Sequence, residues 1–353
     1  MQVELRNNIQ WLDTLRALAT LGVILVHVSS PLVNMTFGKQ MDYWWIGNIL
    51  NSLVRFSVPA FLMLSGFTLM GKDYQLGEFY KRRMMRVFLP FIFWLVVYAV
   101  FRWSLLSDAL QPRTGTTILN WVISLFLKIG ISKHLWYVYM IIFLYLIIPF
   151  ISNWIRKLSN IQILLILLFW AVVCYLLMSV PANPYNWSGN YGNKFLWYTL
   201  HFGYIILGYF LGRFTFHNNW IVPSSLILFL ACSTIAAVFT YYLSVNSHRL
   251  NLSYYGYFTA NAFIQNTALF VLVKHITIKN SIFTKTQSIL SNYSFGIYLV
   301  HVMVIDILFS YGIFWNMAHP LISVPVLAVL ILFLSFIIIF LLRKVPLGKY
   351  VAG

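Results

Sequence analysis

Acidic residues are scarce in this chain: seven Asp and Glu occur in 353 residues against 24 Lys and Arg, and charged side chains make up only 9%. Water-soluble surfaces carry about a quarter charged residues, so an ordinary soluble domain is excluded. There are two cysteines, Cys174 and Cys232, each inside an apolar run and neither spaced like a metal ligand or a disulfide framework. No thiol, redox or metal role follows. The signatures G-x-S-x-G and H-E-x-x-H are also absent, as is any cysteine-nucleophile pattern.

What is present is apolar, at 61% of the residues. Such a chain reads as an all-α polytopic membrane protein, because only helices and closed barrels satisfy the backbone in lipid. The net charge of +17 would suit a nucleic-acid binder, but the cations fall between apolar runs and not on one soluble face. They read as topology signals and as contacts to anionic membrane lipids or anionic ligands. No nucleic acid is expected.

Segments of about 20 apolar residues cross a bilayer as helices. Ten are expected, over residues 11–29, 46–70, 87–106, 135–152, 161–180, 195–212, 220–243, 254–273, 289–309 and 320–342, in one domain over 1–353. Asp13 and Arg16 interrupt the first, and no small-residue cleavage site follows, which predicts a retained helix and not a signal peptide. With the amino terminus inside, fifteen Lys and Arg fall on the cytoplasmic side and six on the other, leaving Arg16, Arg55 and Arg102 within spans. That asymmetry predicts both termini in the cytoplasm. Between 113 and 131, Ile118, Trp121, Val122, Leu125, Phe126 and Ile129 recur at helical spacing. An amphipathic interfacial helix or a loop helix packed on the bundle would explain them. Residues 181–192 read as an outer loop.

Within the first span, Arg16 and His27 lie 11 residues apart. At ~100° and ~1.5 Å per residue they share one stripe, separated by about 16 Å. Ionisable groups at membrane depth are costly and face a cavity or the bundle interior, so the stripe is expected to line a polar shaft. Taken singly, Arg16 could snorkel to the interface and His27 could be a hydrogen-bonded core histidine. Histidine suits acyl or proton transfer because it exchanges a proton near neutral pH. Asp13 is ~21 Å from His27 on a straight helix. Asp306, the one carboxylate well inside another span, is the candidate orienting group, with a simple hydrogen-bonded role as the alternative.

Further candidates surround this stripe. KRRMMR (81–86) places Arg82, Arg83 and Arg86 in the longest basic loop, a topology signal or a phosphate dock. Arg55 precedes SVPAFLMLSG (57–66), where Pro59 and Ser65-Gly66 predict a bent helix. His134 and Trp136 open HLWYVYM (134–140), and His301 ends LSNYSFGIYLVH (290–301). Tyr209 and Arg213 mark GYFLGR (208–213). Helix packing alone would account for many of these groups.

The ordered set WLDTLRALATLGVILVH (11–27), RFSVPAFLMLSG (55–66), RRMMRVFLP (82–90), GYFLGR and LSNYSFGIYLVH resembles the membrane acyltransferase family 3 over most of the chain. These are bacterial integral-membrane O-acyltransferases of surface polysaccharides, and the likeness extends to the branch that acetylates enterobacterial common antigen. The resemblance implies a ten-helix protein of the bacterial inner membrane, with acetyl-CoA or a similar acyl-CoA as donor. A hydroxyl of a glycan or lipid-linked glycan would be the acceptor. It assigns His27 as the essential histidine, acting as base or acyl carrier, with Arg16 before it. Arg83 and Arg86, with Arg82 beside them, match the arginine pair associated with acyl-CoA. His134, Trp136, Arg55 and His301 are then expected on the acceptor side. The rival class is an exporter of a saccharide or lipid-linked glycan, since polar membrane residues also mark transport paths; a membrane scaffold is the third.

Overall fold

The computed structural model describes residues 2–105, 132–179, 194–276 and 278–353, with the side chains of 2–9, 178, 179, 194 and 195 left aside. The expected interfacial segment 113–131 and outer loop 181–192 lie outside the described residues. Among those residues every regular element is helical, and the chain is a multi-pass membrane protein. The helices are α1 (Gln2–Thr36), α2 (Met41–Leu53), α3 (Ser57–Leu69), α4 (Leu76–Arg83), α5 (Leu89–Ser104), α6 (Trp136–Arg156), α7 (Asn160–Ser179), α8 (Lys194–Leu200), α9 (Phe202–Gly212), α10 (Ile221–Asn246), α11 (Ala260–His275), α12 (Ser281–Ser310), α13 (Pro320–Lys344) and α14 (Gly348–Val351).

Eight stretches of the described residues are long and apolar enough to cross a membrane. They cover α1, α2 with α3, α4 with α5, α6, α7, α10, α12 and α13. The remaining two expected spans take shorter forms. Residues 194–212 break at His201 into α8 and α9, and α11 has 16 residues, a rise of ~24 Å. Its polar residues explain the difference: Gln265 donates to the Ser52 carbonyl and to Ser233 Oγ, and Asn261 donates to the Cys232 carbonyl. Helix α11 is held by protein on the side that a lipid-facing span would leave apolar. Conversely, α7 exposes Ile161, Leu165, Phe169 and Val172, the surface expected against acyl chains.

The centre of the bundle is α1 packed against α12. Thr14 Oγ1 donates to Gln287 Oε1 at 3.0 Å and Arg16 to Ser291 Oγ at 3.0 Å, across sequence separations of 273 and 275 residues. Nearly equal separations mean parallel helices in fixed register. The same register brings His27 to His301 further along. Helix α5 also runs alongside α12, with Tyr98 Oη donating to the Leu299 carbonyl at 3.0 Å and Arg102 reaching Asp306 at 2.8 Å.

Two prolines shape the backbone near the candidate residues. Proline lacks the N–H that would bond the carbonyl four residues back. Pro59 thereby leaves Arg55 without that bond, and the chain breaks between α2 and α3 with Arg55 in the break. Pro90 does the same to Arg86, which lies in a π-helical turn over Met84–Phe88. Such turns recur at functional sites.

Helices α3 and α9 touch backbone to backbone through glycines. A Cβ at Gly66 would overlap the Ile205 carbonyl, and one at Gly208 the backbone of Met63. Gly66→Ala and Gly208→Ala are each expected to destabilise the detergent-solubilised protein by about 1–3 kcal/mol, read as a lower thermal unfolding midpoint. Gly77→Ala, where nothing lies within 4 Å of the added carbon, should match the parent.

Candidate active site

Three histidines from three helical segments meet at one depth. His27 of α1 lies 5.2 Å from His301 of α12 and 6.4 Å from His134, ring centroid to centroid, and His134 and His301 are 5.1 Å apart. His134 sits in the short turn that leads into α6, where its Nδ1 is 2.7 Å from Ser132 Oγ and its Nε2 is 3.4 Å from the Leu299 carbonyl. Tyr298 Oη donates to the His134 carbonyl, and Tyr98 packs edge-on to the His134 ring at 5.3 Å. His134 and His301 are enclosed, whereas His27 keeps accessible surface. Of the three histidines, His27 is the one that is not fully enclosed. Two positive rings 5.2 Å apart would repel by roughly 3 kcal/mol at an effective dielectric of ~20, so the trio cannot charge together. Among the described residues no three His, Cys, Asp or Glu side chains are placed to share a metal ion.

Arg55 comes to His27 from the α2–α3 break, close enough for its charge to act on the imidazole. Its guanidinium donates to Asn51 Oδ1, lies 4.1 Å over the Tyr255 ring and is near Tyr257. Asn51 is fixed in turn by Ser29 Oγ of α1 at 2.8 Å. The Arg55 Nε–H is buried without a partner, a donor that no protein group satisfies.

Trp136 continues the site to one side. It packs on Trp197 at 4.7 Å, on His201 at 5.8 Å and on Tyr257 at 6.3 Å. Trp136, Trp197 and Tyr257 each keep accessible surface, so the wall offers aromatic faces next to the Arg55 donor.

The other end of the α1 stripe is cationic. Arg16 bonds Ser291 Oγ, lies 3.6 Å from Asp13 and feels the charge of Arg86 and the Tyr145 phenol. Arg83 spreads over the Tyr145 ring at 5.2 Å and over Phe79 at 5.6 Å. Arg16 and Arg83 thus share Tyr145 as a neighbour, and Arg86 is within electrostatic reach of Arg16. Among the described residues neither Arg83 nor Arg86 forms an ion pair, whereas Arg82 pairs with Glu78 on the exposed face.

The structure separates some residues that the sequence grouped. Asp306 is engaged by Arg102 at 2.8 Å and not by His27, because an arginine within a span draws the available carboxylate. His134 and His301 have no surface open to a sugar; both support the cluster from within. Tyr98, Tyr298, Tyr257 and Ser132 were not singled out from sequence. The spacing of Tyr98 and Arg102, four residues apart on one helical face, was the available signal for the α5–α12 contact.

Residues 9–344 match the model of a family described as "Acyltransferase domain". The chain is similar to a putative membrane-bound acyltransferase, YfiQ, of Bacillus subtilis strain 168, at 25% identity over 90% of this chain and 86% of the relative. It is also similar to a probable poly-beta-1,6-N-acetyl-D-glucosamine export protein of Staphylococcus aureus strain Mu50, at 25% identity over 96% and 94%. No solved structure matches the chain.

The Arg102–Asp306 pair is partly exposed, so its worth is modest. A double-mutant cycle on Arg102→Met and Asp306→Asn should give a coupling of about 0.5–1 kcal/mol in unfolding free energy. Additive effects would mean that the two groups act independently.

Proposed function

The chain belongs to the acyltransferase family, and from this premise we propose that it moves a short acyl group, acetyl in the first instance, from cytoplasmic acyl-CoA to a glycan hydroxyl. The acceptor is a cell-surface or lipid-linked polysaccharide, and the protein works in the bacterial inner membrane. The observation that carries the proposal is the environment of His27. It is an accessible imidazole deep among apolar helices, with the unpartnered Arg55 Nε–H near it and a cationic cluster along the same stripe.

The residues at the Arg83 end fit the phosphates of acyl-CoA. Guanidinium groups bind phosphate oxygens through charge-assisted, bidentate hydrogen bonds, and Arg16, Arg83 and Arg86 converge with two of them free of ion pairs. The span from Arg16 to His27 is then crossed by the pantetheine arm, which brings the thioester to the imidazole. Trp136, Trp197 and Tyr257 offer flat apolar faces to a sugar ring, the kind of lining on which ligands are oriented by a few polar groups.

At the junction, His27 takes the proton of the acceptor hydroxyl as its oxygen attacks the thioester carbonyl. A C–O bond forms, and the negative charge that gathers on the carbonyl oxygen is met by Arg55. Donors held in place for such a developing charge are the largest single contribution in many acyl transfers. Collapse breaks the C–S bond, and His27 returns its proton to the leaving thiolate. The products are the ester and free CoA.

The staphylococcal relative is named for export, and saccharide export by this chain is the second reading. The histidine cluster and the Arg55 donor favour the enzyme, because a passage needs no unprotonated imidazole beside an empty donor. Purified protein incubated in detergent with radiolabelled acetyl-CoA and lipid-linked glycans, followed by mass spectrometry, tests the choice. Acyl modification is expected, with a loss of at least about 100-fold on His27→Ala at an unchanged unfolding midpoint. Movement of unmodified glycan into proteoliposomes, with no ester formed, would replace the enzyme by the exporter.

Arg83→Gln and Arg86→Gln should each raise KM for acetyl-CoA about tenfold, the loss of one charge-assisted contact of ~1.5 kcal/mol. Here kcat should stay within a few-fold of the parent. An unchanged KM in both variants would return the two arginines to a topological role.

A further inference from the structure

We propose that His301 is the positioning residue of His27: its free Nε2 accepts the N–H of the His27 imidazole and turns the other His27 nitrogen, unprotonated, toward the acceptor. This rests on the role given to His27 above and adds the group that fixes its tautomer. A base imidazole needs such an orienting partner, the task that a buried carboxylate performs in hydrolase triads.

The tautomer of His301 follows from its hydrogen bonds. Its Nδ1 lies 2.6 Å from the Tyr298 carbonyl on its own helix. A carbonyl only accepts, so Nδ1 carries the proton and Nε2 of the neutral ring is a bare lone pair. That Nε2 is buried and has no partner, in a side chain with no exposure at all. Nearly all buried polar atoms are hydrogen-bonded, so a donor belongs there.

Among the rings packed against His301, one is left to supply it. Tyr298 Oη is spent on the His134 carbonyl and Tyr98 Oη on the Leu299 carbonyl. His134 has its two nitrogens on Ser132 Oγ and the Leu299 carbonyl. His27, at 5.2 Å between ring centroids, is the remaining ring in contact. Each nitrogen lies ~1.1 Å from its ring centre, so two nitrogens turned toward one another at that separation meet at about 3 Å, a hydrogen-bond length. The bond forms when Nε2 of His301 and one nitrogen of His27 lie along the line between the two ring centres. Asp306, the carboxylate nearest along α12, cannot serve, since Arg102 holds it. His301 is enclosed, so it touches neither substrate and acts only through His27.

Steady-state kinetics with acetyl-CoA and the glycan acceptor test this on His301→Leu, His301→Gln and His27→Ala. His301→Leu is expected to lower kcat at least ~100-fold with KM for acetyl-CoA within about twofold. His301→Gln, whose amide oxygen can accept the His27 N–H, should recover at least ~10-fold over His301→Leu. A parental kcat in His301→Leu, or equal losses in the two His301 variants, overturns the positioning role. If His301→Leu fails to give a monodisperse folded protein, His301→Met, which also lacks the acceptor, takes its place. A kcat at least ~10-fold below that of His301→Gln at constant KM supports the role, and equal kcat values in the two overturn it. His27→Ala separates the two levels: its inactivity beside an active His301→Leu rejects this inference and leaves the role of His27 standing, its full activity removes the roles of both histidines, and the absence of acyl transfer by the parent protein removes the function itself.

Discussion

The parallel register of α1 and α12 is the contact on which the rest of the site depends. In an apolar surrounding a polar side chain without a partner is costly, so Thr14, Arg16 and the ring of His27 cannot slide relative to Gln287, Ser291 and His301. A shift of one residue would rotate all three pairs out of contact together. Two hydrogen bonds at the Arg16 end therefore fix the geometry between imidazoles some 16 Å further along the helix. The α5 contacts through Tyr98 and Arg102 fasten the same face of α12 from the other side.

Around that pair the bundle uses broken helices to bring charge inward. Pro59 stops the α2–α3 helix where Arg55 can be held by Asn51 and the two tyrosines. Pro90 produces the π-helical turn that carries Arg86 beside the Arg16 end of the stripe. In each case the proline removes one backbone hydrogen bond, and irregular backbone at membrane depth is tolerated where protein or a polar cavity covers it. Arg55 sits at the His27 end of the route, and Arg86 joins Arg16 and Arg83 at the other. Under the proposed function the work would be divided, with the anionic part of a donor held at one end and the developing charge met at the other.

Much of the fold was legible in the sequence because hydropathy is a local property. Stretches such as 161–180 and 320–342 are apolar enough to be spans whatever surrounds them, and eight stretches of the described residues meet that description. Residues 195–212 and 254–273 were harder, since their polar residues are spent on neighbouring helices. Gln265 is satisfied by Ser52 and Ser233, and neither partner can be read from the sequence around Gln265. Asp306 shows the same limit. Its place in a span marked it as paired, but Arg102 lies on a different helix, and a one-dimensional pattern could not choose it over His27.

The sequence alone determined that Arg16 and His27 share one face, because helical periodicity acts within 11 residues and needs no neighbour. It also determined that the arginines of 81–86 lie ahead of a span. Only the tertiary structure decided what faces them. The α1–α12 register, the approach of Arg55 and the enclosure of His134 and His301 are set by packing between segments up to 275 residues apart, where contact depends on shape and on partner satisfaction rather than on spacing along the chain.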